Sequence, residues 1–84
     1  MQLLARYTIG DYSTFRAAFD ADAEDRGLNG LSLLQLWREG DRNAWALYQV
    51  NDAKAAHAYL SGGAAPFNAQ AGVTGTDFHF VETA

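Results

Sequence analysis

His79 is the residue of this sequence best suited to chemistry. It stands between Phe78 and Phe80 in an alternating segment, so its side chain should point away from both phenylalanines. An imidazole in apolar surroundings can act as an acid or a base near neutral pH, which makes His79 a candidate catalytic residue. The alternative, a hydrogen-bonded histidine that only stabilises an interface, is the interpretation that the sequence favours.

His57 is the other histidine, and it lies on a helical segment where it is either exposed or above a cavity. The two histidines are 22 residues apart, and no third ligand follows at a recognised metal-binding spacing. The chain has no cysteine, which excludes thiolate chemistry and disulfides. The glycines of SGGAA follow a helix, whereas phosphate-binding loops precede one. We therefore expect no metal and no cofactor.

Four carboxylates are close together in the first third of the chain: Asp20, Asp22, Glu24 and Asp25. They lack the glycine-bearing spacing of a calcium loop, and they fall on a helical pattern. The sequence therefore predicts a solvated acidic helix face here, not a metal site.

The segment Leu31–Val50, LSLLQLWREGDRNAWALYQV, has apolar or aromatic residues on both faces of a predicted hairpin. Directly opposed residues of antiparallel strands share a face, so the loop length decides which side chains lie together. A three-residue EGD loop puts these residues on one wholly apolar face: Leu34, Leu36, Ala44, Ala46, Tyr48 and Val50. The opposite face then contains Leu33, Gln35, Trp37, Trp45, Leu47 and Gln49. An even loop would bury glutamine amides, at a cost of roughly 1 to 3 kcal/mol each when unpaired.

The other elements follow from periodicity and end signals. Residues 2–9 predict a first strand, with Leu3, Ala5, Tyr7 and Ile9 on one face. Residues 11–27 predict an amphipathic helix, and residues 51–63 predict a second one, followed by a short helical turn that opens at Pro66 and closes at Gly72. TDFHFVET predicts the last strand, with Phe78 and Phe80 opposite Asp77, His79 and Val81. The order is βαββαβ, so we expect an α+β, ferredoxin-like domain over residues 1–84: a four-stranded antiparallel sheet with two helices on one face.

The charge of the chain limits its partners. Ten acidic and six basic residues give a net charge of −4, so the chain lacks the basic surface that nucleic acid or an anionic membrane requires. No apolar run is long enough to span a bilayer, and no leader is evident, so a cytoplasmic protein is expected.

The helix-free face of the predicted sheet needs a cover. Two tryptophans exceed what a monomer usually leaves in water, and burying even one is worth roughly 4 to 6 kcal/mol before entropy costs. The simplest cover is a second copy, packed sheet to sheet. We assign as candidate ligand-binding residues on this face Arg6, Gln35, Trp37, Trp45 and Leu47. Arg6 could meet a carboxylate or phenolate, or could pair with Asp77 on the last strand.

Several stretches, YTIGDYSTFRAAFD, YQVND and AYLSGGAAPFNAQAGVTGTDFHFVE, together resemble small members of the dimeric α/β-barrel superfamily. This superfamily includes antibiotic biosynthesis monooxygenases, polyketide cyclases and stress-responsive barrel proteins. The resemblance implies a homodimer whose two sheets form a barrel, with a ligand cavity lined by sheet and helix residues. Some cofactor-free monooxygenases of this kind use asparagine, tryptophan and histidine, residue types present here as Asn43, Asn68, Trp37, Trp45 and His79. Its cyclases favour histidine and tyrosine pairs, for which Tyr7, Tyr48 and His79 are available.

We therefore expect a homodimer that binds a small apolar or aromatic molecule. Two alternatives stay open. One is a cofactor-free monooxygenase or polyketide-cyclase-like enzyme that uses His79. The other is a structural module whose second face serves only dimerisation.

Overall fold

The computed structural model describes all residues, Met1–Ala84. Its strands are β1 (Gln2–Ile9), β2 (Leu31–Glu39), β3 (Asn43–Val50) and β4 (Val73–Val81). Its helices are α1 (Tyr12–Ala21), α2 (Ala23–Leu28), α3 (Ala53–Ala58) and α4 (Ala65–Ala71), with a π-helical segment, Tyr59–Gly63, between the last two. No helix is both long enough and apolar enough to cross a bilayer.

The four strands form one antiparallel sheet in the order β2-β3-β1-β4. The first strand therefore lies in the middle, paired with β3 on one side and β4 on the other. This is the ferredoxin-like α+β arrangement, and the predicted fold class is confirmed.

Each of the two predicted helical regions is divided. Asp11 caps α1 by accepting a hydrogen bond from the Thr14 amide at 2.9 Å, but α1 ends at Ala21 and the chain continues as α2 after Asp22. In the second region α3 widens into the π-helical segment before α4 begins. Gly72, at φ 70°, ends α4 in the left-handed conformation that glycine adopts without strain.

One face of the sheet packs against all the helices. In β1 the buried residues are Leu3, Ala5, Tyr7 and Ile9, as the alternation predicted, and in β3 they are Ala44, Ala46, Tyr48 and Val50. Phe15 and Phe19 of α1 stack with ring centroids 5.3 Å apart, and Phe67 of α4 meets both rings edge-on. We call this side of the sheet the covered face, and the other side the open face.

The hairpin differs from the prediction in two details. Glu39 pairs with Asn43, so the loop is Gly40 to Arg42 and not EGD; it still has three residues, and the predicted faces of β3 are kept. A β-bulge at Leu34 then reverses the alternation at the start of β2. Leu33 pairs with Tyr48 and lies on the covered side, so the predicted face of Leu33 was wrong, and Leu34 has no partner on β3.

Candidate functional site

The six predicted site residues meet on the open face, in two neighbouring rows that run across the strands. The first row pairs Trp37 with Trp45, Trp45 with Arg6, and Arg6 with Asp77. The second row pairs Gln35 with Leu47, Leu47 with Leu4, and Leu4 with His79. Directly opposed side chains lie about 4.5 to 5.5 Å apart at their Cβ atoms, so the rows form one continuous patch.

The tryptophans form the apolar part of this patch. Trp37 is 44% exposed in a single copy. The Trp45 indole is half-buried, and its Nε1–H donates to Glu39 Oε1 at 2.8 Å. The polar edge of Trp45 is therefore already satisfied within the chain.

Arg6 is held by its neighbours. Its Nε–H donates to Asp77 Oδ2 at 2.9 Å, Nη2 of the same guanidinium also pairs with that carboxylate, and Nη1–H reaches Asn43 Oδ1 at 3.3 Å. This is the internal pairing weighed above as the alternative to ligand contact. An incoming anion would have to compete with Asp77 for the guanidinium.

His79 is exposed on the open face of β4, opposite Leu4. No side chain of the chain hydrogen-bonds its ring, so both nitrogens are free to meet a ligand or a second protein. Asp77 lies two residues away on the same face, where it holds Arg6. The other histidine, His57, stacks on Phe80 with centroids 4.1 Å apart and lies on the helix side. No three carboxylate or histidine side chains are grouped so that they could hold a metal ion.

A second set of polar residues, missed in the sequence, lies on the covered side. Arg26 of α2 is 5% exposed, and its Nη1–H donates to the Phe19 carbonyl at 2.7 Å. The guanidinium carbon lies 3.7 Å from the centre of the Phe19 ring, and Nη1 is 3.7 Å from Asp22 Oδ2. That carboxylate also accepts a 2.5 Å hydrogen bond from the Tyr59 hydroxyl.

Asp22 therefore does not belong to a solvated acidic face. Its side chain is only 16% exposed, whereas Asp20, Glu24 and Asp25 lie at the surface as predicted. Asp22 and Arg26 each follow a buried phenylalanine, Phe15 and Phe19, by seven residues, which puts both on the apolar stripe of the helical pattern. This placement and the i, i+4 spacing of the pair were the available signal.

Tyr7 and Tyr48 are the central polar pair of the covered face. Their hydroxyl oxygens are 2.8 Å apart. Burial raises the pKa of Tyr7 to about 12, and burial together with the neighbouring Tyr7 raises the pKa of Tyr48 well above its usual range. Both phenols are therefore neutral hydrogen-bonding groups at physiological pH.

An internal cavity between sheet and helices is bordered by Tyr7, Asp22, Arg26, Tyr59, Asn68 and Phe78. Its volume is about 10 Å³, which is room for a single water molecule. This cavity has no space for an organic ligand.

Comparison with known proteins supports the fold of this chain. No protein family and no curated protein matches the chain. Among solved structures it is similar to SnoaB of Streptomyces nogalater, a cofactor-independent oxygenase, with a TM-score of 0.69 and 20% identity over 99% of this chain and 93% of that one. It is also similar to an uncharacterized NIPSNAP domain protein from Burkholderia xenovorans, with a TM-score of 0.67 and 15% identity over 100% and 95% of the two chains.

The structured domain of Boca from Drosophila melanogaster has the same fold at a greater distance, with a TM-score of 0.57 and 13% identity over 98% and 100% of the chains. The first two neighbours agree with the predicted ferredoxin-like fold. The chain has the fold of small ferredoxin-like α/β-barrel proteins.

Proposed function

We propose that the protein is a homodimer formed by packing two open faces together, and that it binds a small apolar or aromatic molecule there without a cofactor. The observation that carries this proposal is the row of Trp37 and Trp45 beside Leu47, continuous across the sheet and bordered by Arg6 and His79.

The dimer is tested by light scattering. The expected mass is about twice the 9.1 kDa of one chain. It should fall to that of one chain in Trp37→Lys, because the dimer would bury an unpaired charge at its interface. The matched control is Leu28→Lys on α2, where the native side chain is 78% exposed and outside the patch. A monomeric wild-type protein, or a Trp37→Lys dimer, contradicts the proposed interface.

Ligand binding is tested with 1-naphthol as a flat aromatic probe, followed by quenching of tryptophan fluorescence. We expect saturable quenching that weakens in Leu47→Gln, which replaces apolar contact area by a polar amide of similar length. The control is Leu28→Gln, with the dimer mass verified for each variant. A dimer that binds no probe would favour the purely structural interpretation, in which the open face serves only dimerisation.

An enzyme is the second candidate, with His79 as acid or base in cofactor-free oxygenation or cyclisation. Two observations favour it. The ring of His79 has no hydrogen-bond partner within the chain and lies in the second row, next to the row that contains the tryptophans. The fold is also similar to that of a cofactor-independent oxygenase. We expect uptake of dissolved oxygen in the presence of 1-naphthol, lost in His79→Ala with the dimer intact and retained in His57→Ala. Equal uptake in both variants, or none in the wild-type protein, contradicts oxygenation by His79.

We also propose a cytoplasmic location, which the cysteine-free composition suits because no disulfide has to be formed or protected.

A further inference from the structure

A groove lies beside α2 at the start of the edge strand β2, on the helix side of the sheet and away from the open face. Its volume is about 350 Å³, within the range of small-molecule sites. Four of its eight lining residues are apolar, among them Phe19, Leu31 and Leu33. Leu33 is 44% exposed.

Arg26 lines this groove, and most of its N–H donors have no acceptor within the chain. A guanidinium carries five N–H donors, and only one of them meets an acceptor of the chain, the Phe19 carbonyl at 2.7 Å. Asp22, at 3.7 Å from Nη1, is an ion-pair partner beyond hydrogen-bonding distance.

No hydrogen bond within the chain uses Nε or Nη2 of Arg26, although its side chain is only 6% exposed. Arg26 lines both the groove and the internal cavity, and so does Leu31. The arrangement is a mostly buried guanidinium at the border of a partly apolar groove.

The charges around Arg26 decide which acceptor fits. Asp22 already balances the guanidinium, and Asp20 at the rim of the groove is 2.9 Å from Arg16. The carboxylates of Glu24 and Asp25 follow on α2. An anionic ligand would add a negative charge among these groups, whereas a neutral carbonyl oxygen can accept the guanidinium hydrogen bonds without that repulsion.

We propose that this groove is a second binding site, for a neutral small molecule that has a carbonyl oxygen and a short apolar chain. The oxygen accepts hydrogen bonds from Arg26. The chain lies along Leu31 and Leu33 toward the exposed edge of β2. The groove contains none of the six candidate site residues of the open face, so its test is independent of the function proposed above.

The probe is 2-octanone, titrated into the ¹⁵N-labelled protein and followed by NMR of the backbone amides and of the Arg26 Nε–H. We expect saturable shifts of the Arg26 Nε–H signal and of residues 31–33. Octanoate has the same length and a negative charge, and should bind about tenfold more weakly or worse. Absence of shifts at Arg26, shifts confined to the tryptophan indoles of the open face, or octanoate binding as tightly as 2-octanone would overturn the proposal.

Two adjacent leucines provide a matched pair of variants. Leu33 lines the groove, whereas Leu34 is the bulge residue and does not, although the two are similarly exposed, at 44% and 49%. We expect Leu33→Asp to weaken 2-octanone about tenfold and Leu34→Asp to leave it within about twofold. Equal effects of the two substitutions would overturn the groove as the site. Both replace exposed side chains, so the test does not depend on variants of the buried Arg26.

Discussion

The two faces of the sheet are made by alternate residues of the same strands, yet they are completed in different ways. On the covered face Ala5, Ala46 and Tyr48 are wholly buried under helices of the same chain. On the open face Arg6 and Trp45, their neighbours along the strands, are only half-buried. The period of two is a property of the strand, whereas the burial of each face depends on what packs against it.

The polar groups of the two faces differ in the same manner. The covered face has two buried hydrogen bonds made within the chain, Tyr7 with Tyr48 and Tyr59 with Asp22. The pair of Arg6 and Asp77 on the open face is also made within the chain, but water reaches both side chains. An interaction of the same kind is therefore expected to contribute more free energy of unfolding on the covered face than on the open one.

The largest expected effect is that of Phe15→Ala. Phe15 is fully buried against Tyr7, Phe19 and Phe67, so the substitution should lower the free energy of unfolding by about 3 to 5 kcal/mol at every protein concentration. The matched open-face variant is Trp37→Ala, for which the loss should be large only at concentrations where the dimer forms. Urea unfolding at two protein concentrations distinguishes the two variants. An equal loss of free energy of unfolding in both variants at low protein concentration would contradict the distinction between the faces.

The second-largest expected effect is the loss of stability at alkaline pH. The pKa of Tyr7 is about 12 in the folded protein against 10 when unfolded, so the neutral phenol is favoured by folding. Its contribution to the free energy of unfolding is complete below pH 10. As the pH rises from 10 to 12, about 3 kcal/mol of this free energy is lost. Tyr7→Phe should therefore flatten the dependence of the urea midpoint on pH in this window. A wild-type profile that matches the variant's would show that the pair ionises as readily folded as unfolded.

A smaller effect is expected for Tyr59→Phe, which removes the hydrogen bond to Asp22 and keeps the ring. A hydrogen bond to a buried charged group contributes about 2 kcal/mol, so the free energy of unfolding should fall by about that amount. Ser61→Ala, which removes an exposed side-chain hydrogen bond in the same π-helical segment, serves as the control. Similar losses in the two variants would mean that the carboxylate of Asp22 is as well hydrated as the surface.

The smallest effect is expected for Asp77→Asn. The side chains of Arg6 and Asp77 are 36% and 49% exposed, and an ion pair in contact with water contributes less than about 1 kcal/mol, weakened further by salt. The measurement is unfolding at low and high ionic strength. A loss well above 1 kcal/mol would indicate that the open face is shielded from water in the native assembly, and would sharpen the case for the dimer.

Strand periodicity explains most of what was predicted correctly. The alternation of β1 assigned Tyr7 to the covered face and Arg6 to the open face, and the alternation of β4 did the same for Phe80 and His79. The parity argument for the hairpin held for β3 because a loop shifted by one residue at each end keeps its odd length. The bulge at Leu34 was not predicted, because nothing in a run of leucines shows which residue is left unpaired.

The sequence by itself determined the order of the elements, the two faces of each inner strand and the grouping of His79, Arg6 and the tryptophans, because these follow from local periodicity and antiparallel pairing. Only the tertiary structure decided that the Asp22 carboxylate meets the Tyr59 hydroxyl, since that depends on the approach of a segment 37 residues away along the chain. It also decided that Arg26 keeps unused donors beside a groove. Periodicity specifies which way a side chain points, and packing specifies what it meets.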